Sequence, residues 1–195
     1  TISRSLPKGK GTVIVKHANP CGVSAKNNHL ESYKSALSCD PISAFGGIVS
    51  CNFKITKNLA LELNKLFLEV IIADGFDDGA MKILKTKKNL RLINGSNYTS
   101  KELFKFLSFN QNIMLQSEDL NLFSKENFKI VSKRKPTSKQ LKDLLFAFNV
   151  CRYVKSNAIV LASNETTAGI GSGQPSRLDS CQIAINKMKK FNLQT

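Results

Sequence analysis

A lysine and a histidine stand side by side at the end of a predicted strand. The stretch VIVKHANPCGV, residues 13–23, opens with apolar residues typical of a buried strand and then places Lys16 beside His17. A histidine can accept or donate a proton near neutral pH, and a lysine ammonium can stabilise negative charge. Because ligands of open α/β sheets bind where strands run into loops, we interpret the pair as a candidate acid–base centre. The alternative is a surface lysine beside a histidine that closes the turn.

A later glycine-rich segment carries residue types that bind anions. GIGSGQPSR, residues 169–177, places Gln174, Ser176 and Arg177 ahead of a predicted helix. Free backbone N–H groups and a helix N-terminus attract anions, and arginine can hold a phosphate or carboxylate through two hydrogen bonds. The segment matches neither common glycine-rich nucleotide signature, so a flexible turn is the alternative.

Two further positions are candidates for ligand contact. In DPISAFGGIVS, residues 40–50, Gly46 and Gly47 let a ligand approach the backbone, although an ordinary tight turn would use them equally well. In KSNAIVLA, Asn157 stands at the entrance to a buried strand, where its amide needs hydrogen-bond partners. It either caps the preceding helix or reaches a ligand.

A zinc site is a further alternative, with His17, Cys21 and His29 as its possible ligands. His29 and Glu31 form a His-x-Glu pair, and Cys21 after proline resembles the start of the Pro-Cys-x-x-Cys element of zinc nucleobase deaminases. The two elements stand in reversed order, and Ser24 occupies the place of the second cysteine. Because the ligand set is too small, we expect no metal.

Composition narrows the class of protein. A chain of 195 residues with 42% hydrophobic and 22% charged residues is typical of a folded domain, or part of one, rather than a disordered segment. Its five scattered cysteines form no C-x-x-C pair, which favours reduced thiols and a cytoplasmic location. The net charge of +15 attracts anions, among them nucleic acids, phosphorylated metabolites and polyglutamylated cofactors. No apolar run approaches the ~20 residues of a membrane helix, and the N-terminus lacks the apolar region of a signal peptide.

Strand and helix patterns alternate along most of the chain. This order predicts an α/β fold with a mainly parallel sheet and helices on both of its faces. A capping box of Thr137 and Gln140 predicts the start of a helix that continues to Cys151. The remaining predicted helices are 29–38, 56–67, 77–87, 100–108 and 178–190, and the predicted strands are 12–18, 46–52, 69–74, 90–93, 112–117, 128–132 and 157–163, with a glycine-rich turn at 168–176.

The same patterns divide the chain into three segments. We predict a first α/β unit in residues 1–95, a variable connecting segment in 96–130 and the start of a second α/β unit in 131–195. The middle segment is rich in asparagine, serine and lysine. The chain lacks both a starting methionine and a closing element, so we expect a piece of a longer protein, truncated at both ends.

Taken together, the motifs resemble one family. VKHANPCGV, DPISAFGGIVS, EVIIADGF and GIGSGQPSR occur in the order found in the formyltransferase domain of the bifunctional purine biosynthesis proteins. These enzymes combine an AICAR (aminoimidazole carboxamide ribonucleotide) transformylase with an IMP cyclohydrolase. The likeness runs from about Thr12 to Lys189 and is weakest between Asn94 and Lys129.

The resemblance implies a fold, a reaction and an assembly. The family's transformylase domain has two related α/β/α units of cytidine-deaminase-like type without the metal. It works as a homodimer with active sites between the subunits. It transfers a formyl group from 10-formyltetrahydrofolate to the amine of AICAR in de novo IMP synthesis. We therefore expect AICAR and a folate as small-molecule partners, and neither a membrane nor a nucleic acid.

The resemblance also assigns roles to individual residues. Lys16 and His17 match the family's catalytic pair, with His17 taking the amine proton and Lys16 stabilising charge or protonating the departing folate nitrogen. Asn157 matches the asparagine that holds the tetrahedral intermediate and positions the histidine. The positions that match nucleotide-binding residues are Gly46, Glu69, Ser176 and Arg177, with Gln174 in the same loop.

Departures from the family pattern limit what this chain can do. The cyclohydrolase domain and the C-terminal part of the transformylase domain are absent, so we expect the isolated chain to show little activity. Pro175 stands within the predicted anion-binding loop, and we expect it to alter that loop locally. A basic α/β module that binds nucleic acid is the alternative from a different class. However, the basic clusters at residues 83–93 and 132–139 lack the interleaved aromatic residues that stack on bases.

Overall fold

A seven-stranded sheet forms the centre of the protein. The computed structural model describes residues 2–97, 104–117, 119 and 121–195. In chain order the strands are β1 (Gly11–Lys16), β2 (Asn19–Ala25), β3 (Gly47–Cys51), β4 (Leu68–Ala73), β5 (Arg91–Asn94), β6 (Phe104–Phe109), β7 (Asn112–Ser117), β8 (Ile159–Ser163) and β9 (Thr166–Gly171). The central sheet has the order β5-β4-β3-β1-β2-β9-β8, and β6 and β7 form a separate hairpin.

Helices cover both faces of the sheet, as the sequence predicts. They are α1 (Ile2–Ser5), α2 (His29–Cys39), α3 (Lys57–Leu63), α4 (Asp78–Leu84), α5 (Ser138–Cys151) and α6 (Arg177–Lys190), with one 3-10 turn at Lys125–Asn127. Because side chains alternate along β1, Ile14 joins the core under α2, α3 and α4, whereas Val13 joins the core under α5. Within the described ranges, no helix has both the length and the apolar character needed to cross a bilayer.

The strands differ in direction from a simple parallel sheet. Five of the seven strands run one way, whereas β1 and β9 run the other way, so that only β3–β4 and β4–β5 pair in parallel. The segment of Pro20 and Gly22, which lies outside the predicted strands, is part of strand β2 in an antiparallel hairpin with β1. Gly169 and Gly171, predicted in a turn, belong to strand β9. These segments lack strong strand propensity, so pairing with neighbouring strands and packing against helices determine their extended conformation.

The middle of the chain also departs from the prediction. Residues 128–132, predicted as a strand, have no regular structure. Of the helix predicted at 100–108, residues 104–108 lie in β6, and residues 100–103 fall outside the described part of the chain. In the β6–β7 hairpin, Phe106 faces Leu115 and Leu107 faces Met114, so both faces of this ribbon carry apolar side chains.

Both ends of the chain contribute to the one central sheet. The backbone N–H of Val23 in β2 donates to Thr167 Oγ1 of β9 at 2.9 Å, and the same hydroxyl donates to the Val23 carbonyl at 3.2 Å. The boundary between segments 1–95 and 131–195 therefore does not separate two sheets. The assignment of these segments to two related units stays a prediction.

The capping box of α5 is confirmed in detail. The backbone N–H of Gln140 donates to the Thr137 hydroxyl at 3.2 Å, and the Thr137 N–H donates to Gln140 Oε1 at 3.0 Å. The two bonds satisfy N–H groups that the first helical turn would leave without partners. The helix therefore begins where the sequence places it.

Gly171→Ala tests how closely α6 lies on β9. A Cβ at this position would lie 1.8 Å from the Ser180 carbonyl oxygen, so the helix has to move away from the strand. We expect the free energy of unfolding to fall by about 1–3 kcal/mol or more in urea titrations. Gly95→Ala is the control, because its Cβ would meet nothing nearer than 3.5 Å. Equal unfolding free energies for the two variants would contradict this packing.

Candidate active site

The predicted site residues gather at one end of the central sheet, which we call the site end. Strands β1 and β9 finish here, at Lys16 and Gly171, because they run in the same direction. Strands β2, β3, β4 and β8 start here, because they run the opposite way. Strands β1 and β9 thus run into loops at this end, and their antiparallel partners enter the sheet at the same place. The residues brought to this end are Lys16, His17, Gly46, Glu69, Asn157, Gln174, Ser176 and Arg177.

The catalytic candidates occupy a two-residue turn. Lys16 pairs with Asn19 across the β1–β2 hairpin, and His17 and Ala18 between them have φ of 49° and 64°. Such a turn favours asparagine and glycine, because other L-residues resist positive φ. Side chains kept in such conformations concentrate at functional sites. The turn places the exposed imidazole of His17 at the tip of the hairpin.

A hydrogen bond fixes Lys16 against the neighbouring loop. Its Nζ donates to the Gly46 carbonyl at 2.9 Å, and the Gly46 N–H donates to the Phe67 carbonyl at 2.8 Å. Gly46 has φ of 66°, and a Cβ there would lie 2.8 Å from Lys16 Nζ. This position therefore requires glycine both for its backbone and for the approach of the ammonium.

Asn157 organises the loop before α6 rather than capping α5. Its side-chain Nδ2 donates to the carbonyls of Gln174 and Pro175 at 3.0 and 2.7 Å. Its own carbonyl accepts a 2.7 Å hydrogen bond from the Ser180 hydroxyl of α6. Helix α5 ends earlier, with Arg152 as its C-cap. The amide thus ties the start of β8 to the loop that carries the anion-binding candidates.

The anion-binding candidates surround the N-terminus of α6. The Ser176 hydroxyl accepts hydrogen bonds from the N–H groups of Leu178 and Asp179 at 3.1 and 3.4 Å. Because this oxygen acts as an acceptor, its own proton stays available for a ligand. Arg177 is exposed as the first helical residue, and Gln174 donates to the Ser172 carbonyl at 3.2 Å.

A hydrogen bond between neighbouring residues joins the Lys16–His17 turn to the segment that leads to Asn157. Asn19 Oδ1 accepts a 3.1 Å hydrogen bond from the Lys155 N–H, and the Lys155 carbonyl accepts one from Gly173 at 2.8 Å. Asn19 lies two residues after His17, and Lys155 lies two residues before Asn157. The hairpin and the α6 loop are therefore held side by side.

Two aromatic rings at the site were missed by reasoning from the sequence. Phe45 and Phe67 are 61% and 45% exposed, with ring centroids 5.2 Å apart, and they flank Gly46. The helical spacing from Leu59 predicts a buried position for Phe67, but α3 ends at Leu63. The position of Phe45 next to the glycine pair was the available signal. Exposed rings beside a lysine ammonium can stack on a planar ligand.

The residues of the zinc alternative have other roles. Among the described residues, no group of three or more His, Cys, Asp and Glu side chains is placed to hold a metal ion. His29 stacks on Phe53 at 3.8 Å between centroids, and its Nε2 is 2.9 Å from the Gly9 carbonyl. Burial raises the pKa of the Cys21 thiol to about 12. Cys21 is therefore a core residue and not a reactive thiolate.

The candidate polar and aromatic groups gather at one end of an α/β sheet, and comparisons with known proteins place the chain more closely. A family model described as AICARFT/IMPCHase bienzyme matches residues 3–187. The chain is 45% identical over 185 residues to the bifunctional purine biosynthesis protein PurH of Persephonella marina, covering 94% of this chain and 36% of the relative. It is 46% identical over 182 residues to the protein of that name from Buchnera aphidicola (92% and 35%), and 45% identical over 186 residues to that from Aquifex aeolicus (95% and 36%).

The chain belongs to the AICARFT/IMPCHase bienzyme family. It spans about a third of the length of the curated relatives it matches.

Asn157→Ala tests the loop assignment. The change leaves the Gln174 and Pro175 carbonyls without the Asn157 side-chain donor, so we expect faster amide hydrogen exchange in residues 172–176 and a loss of about 0.5–1.5 kcal/mol of stability. Asn164→Gly is the control, because Asn164 is an exposed turn residue with φ of 52°, which glycine adopts without strain, and its printed side-chain contact is to Ser163. Unchanged exchange in the α6 loop of Asn157→Ala would contradict the assignment.

Alkylation at pH 8 tests the burial of the thiols. Burial raises the pKa of Cys21 and Cys51 to about 12 and that of Cys39 to about 11, so their thiolate fractions are very small at this pH. We expect iodoacetamide to label the half-buried Cys151 and Cys181 first, and all five cysteines after denaturation. Mass spectrometry locates the labels, and early native labelling of Cys21 would contradict the structure.

Proposed function

We propose that this chain is the formyltransferase segment of a bifunctional purine biosynthesis enzyme. At the site end, a formyl group passes from 10-formyltetrahydrofolate to the amine of AICAR. The observation that carries the proposal is the geometry of the Lys16–His17 turn. Lys16 donates a hydrogen bond to the Gly46 carbonyl, and Asn19 of the same hairpin accepts one from Lys155, two residues before Asn157. The family supplies the reaction, and this geometry supplies groups suited to it.

His17 is the proposed general base. The amine of an aminoimidazole conjugated to a carboxamide is a poor nucleophile, so it has to lose its proton as it attacks the formyl carbon. The exposed imidazole at the hairpin tip is free to approach a bound amine. Asn157 is the proposed partner that holds the tetrahedral intermediate and positions the imidazole, and it does so through its amide oxygen, because its two amide protons bind the Gln174 and Pro175 carbonyls.

Lys16 is the proposed electrostatic partner. Its ammonium has three donor protons, of which Gly46 takes one, so two stay available for the developing oxyanion or for the departing folate nitrogen. A fixed cation lowers the barrier most when it is oriented before the reaction begins. The hydrogen bond to the Gly46 carbonyl provides that orientation.

The nucleotide is proposed to bind across the site end. Ser176 and Arg177 suit the phosphate, with the free proton of the serine hydroxyl and the guanidinium as donors, and Gln174 lies in the same loop. The exposed carboxylate of Glu69, at the start of β4, suits hydroxyl groups rather than phosphate. Phe45 and Phe67, which flank Gly46, suit the flat imidazole ring.

The proposed assembly is a homodimer in the cytoplasm. The apolar β6–β7 hairpin supports an interface, because Phe106 and Ile113 are 75% and 74% exposed. The relatives are named as bifunctional, and we propose that the parent protein also carries the IMP cyclohydrolase. The nucleic-acid alternative gains no support from the comparisons.

His17→Ala in the full-length natural protein tests the proposal. We expect kcat for formyl transfer to AICAR, followed through release of tetrahydrofolate, to fall by about 10²–10⁴-fold because the base is removed. The exposed position of His17 predicts an unchanged circular dichroism spectrum.

His29→Gln is the matched control, since it replaces the other histidine of the chain. It removes the stack on Phe53, so we expect a lower Tm with turnover close to that of the wild type. Wild-type turnover in His17→Ala would remove His17 from the mechanism. A wild-type protein without any formyl transfer would refute the function itself.

A further inference from the structure

An ion pair between a buried carboxylate and a partly exposed lysine links the end of α2 to α6. Asp40 follows α2, and its side chain is only 5% exposed. Its Oδ2 accepts a 2.6 Å hydrogen bond from Lys187 Nζ of α6. The Ser43 N–H and hydroxyl complete the coordination of the carboxylate at 3.0 and 2.7 Å.

The carboxylate is ionised in this setting. Burial alone would raise the pKa of Asp40, but the hydrogen bonds from Lys187 and Ser43 outweigh burial and hold this pKa below its ordinary value. A buried charge is tolerated when its partners are close and well oriented. The carboxylate is thus held by several partners in the protein interior, although the lysine side chain that reaches it is 35% exposed.

On one side, the pair holds the loop that receives Lys16. The Asp40 carbonyl accepts the Ala44 N–H at 3.2 Å, and the Ala44 carbonyl accepts the Gly47 N–H at 3.0 Å. Gly46 lies between Ala44 and Gly47 in this loop, and its carbonyl accepts the hydrogen bond from Lys16 Nζ. The position of Asp40 therefore affects where the ammonium lies.

On the other side, the pair holds the helix that positions Asn157. Lys187 lies on α6 two turns after Ser180, whose hydroxyl donates to the Asn157 carbonyl. The same helix begins at the loop of Ser176 and Arg177. Because a helix is stiff along its axis, a shift at Lys187 is carried to these residues.

We propose that Asp40 and Lys187 are positioning residues that set the separation between Lys16 on the hairpin and Asn157 at the α6 loop. The proposal rests on the proposed function, since it concerns the alignment of those groups for formyl transfer. Neither residue is among the proposed substrate contacts. A role in stability alone is the competing explanation.

The double variant Asp40→Asn/Lys187→Met in the full-length natural protein separates the two explanations. Each single variant leaves one charge without its partner, so we expect a lower Tm, whereas the double variant removes both charges and recovers most of the Tm. If the pair positions the site, kcat in the double variant stays about tenfold or more below wild type, because a displacement of about 1 Å is costly to catalysis. Lys65→Met is the control. It breaks a surface contact to Glu62 of the same 2.6 Å length, and we expect Tm and kcat to stay unchanged.

The outcomes are distinguishable. A double variant with recovered Tm and wild-type kcat overturns the positioning role while the proposed function stands. If a single variant fails to fold, the double variant still decides between the two explanations. Absence of formyl transfer in the wild type refutes the proposed function instead.

Discussion

The approach of two helices to the backbone of two strands is the constraint on which this structure depends. A Cβ at Gly22 of β2 would lie 1.9 Å from the Ala36 carbonyl of α2, and one at Gly169 of β9 would lie 2.2 Å from the Ala184 carbonyl of α6. Only glycine allows such contact. The heights of α2 and α6 above the sheet follow from it, and so do the positions of Asp40 after α2 and of the loop before α6. Backbone packing thus sets the distance across which the polar groups of the site face each other.

Strand direction explains why those groups share one end of the sheet. If β1 ran parallel to β3, the turn of Lys16 and His17 would lie at the opposite end from Gly46. The antiparallel hairpin instead returns the chain at His17 and brings Lys16 to the start of β3. Strand β9 repeats this arrangement, because it ends where β8 begins and so places the α6 loop beside Asn157. The site residues therefore come together because β1 and β9 run opposite to the other five strands of the sheet.

Local sequence predicts the elements whose stability is local. The capping box at Thr137 and the apolar periodicity of α2 and β4 identify these elements because their patterns are complete within a few residues. Strands β2 and β9 were missed because glycine and proline disfavour strands in isolation, and the reason for the glycines is that the helix following each strand packs directly on its backbone. The same holds within the site. The Lys16–His17 pair is visible in the sequence, whereas the contact of Asn19 with Lys155 and the exposure of Phe67 arise only when the chain folds.

The β6–β7 hairpin has a consequence for the colloidal behaviour of the chain. Within the described residues it is a ribbon of two strands, with its outer edges next to apolar faces. Such edges recruit further strands and promote precipitation. The net charge of +15 opposes this, because the positively charged molecules repel each other. At 0.1 M ionic strength, dissolved ions screen this repulsion at separations greater than about 10 Å. Ionic strength therefore governs whether dispersed molecules or insoluble assemblies prevail.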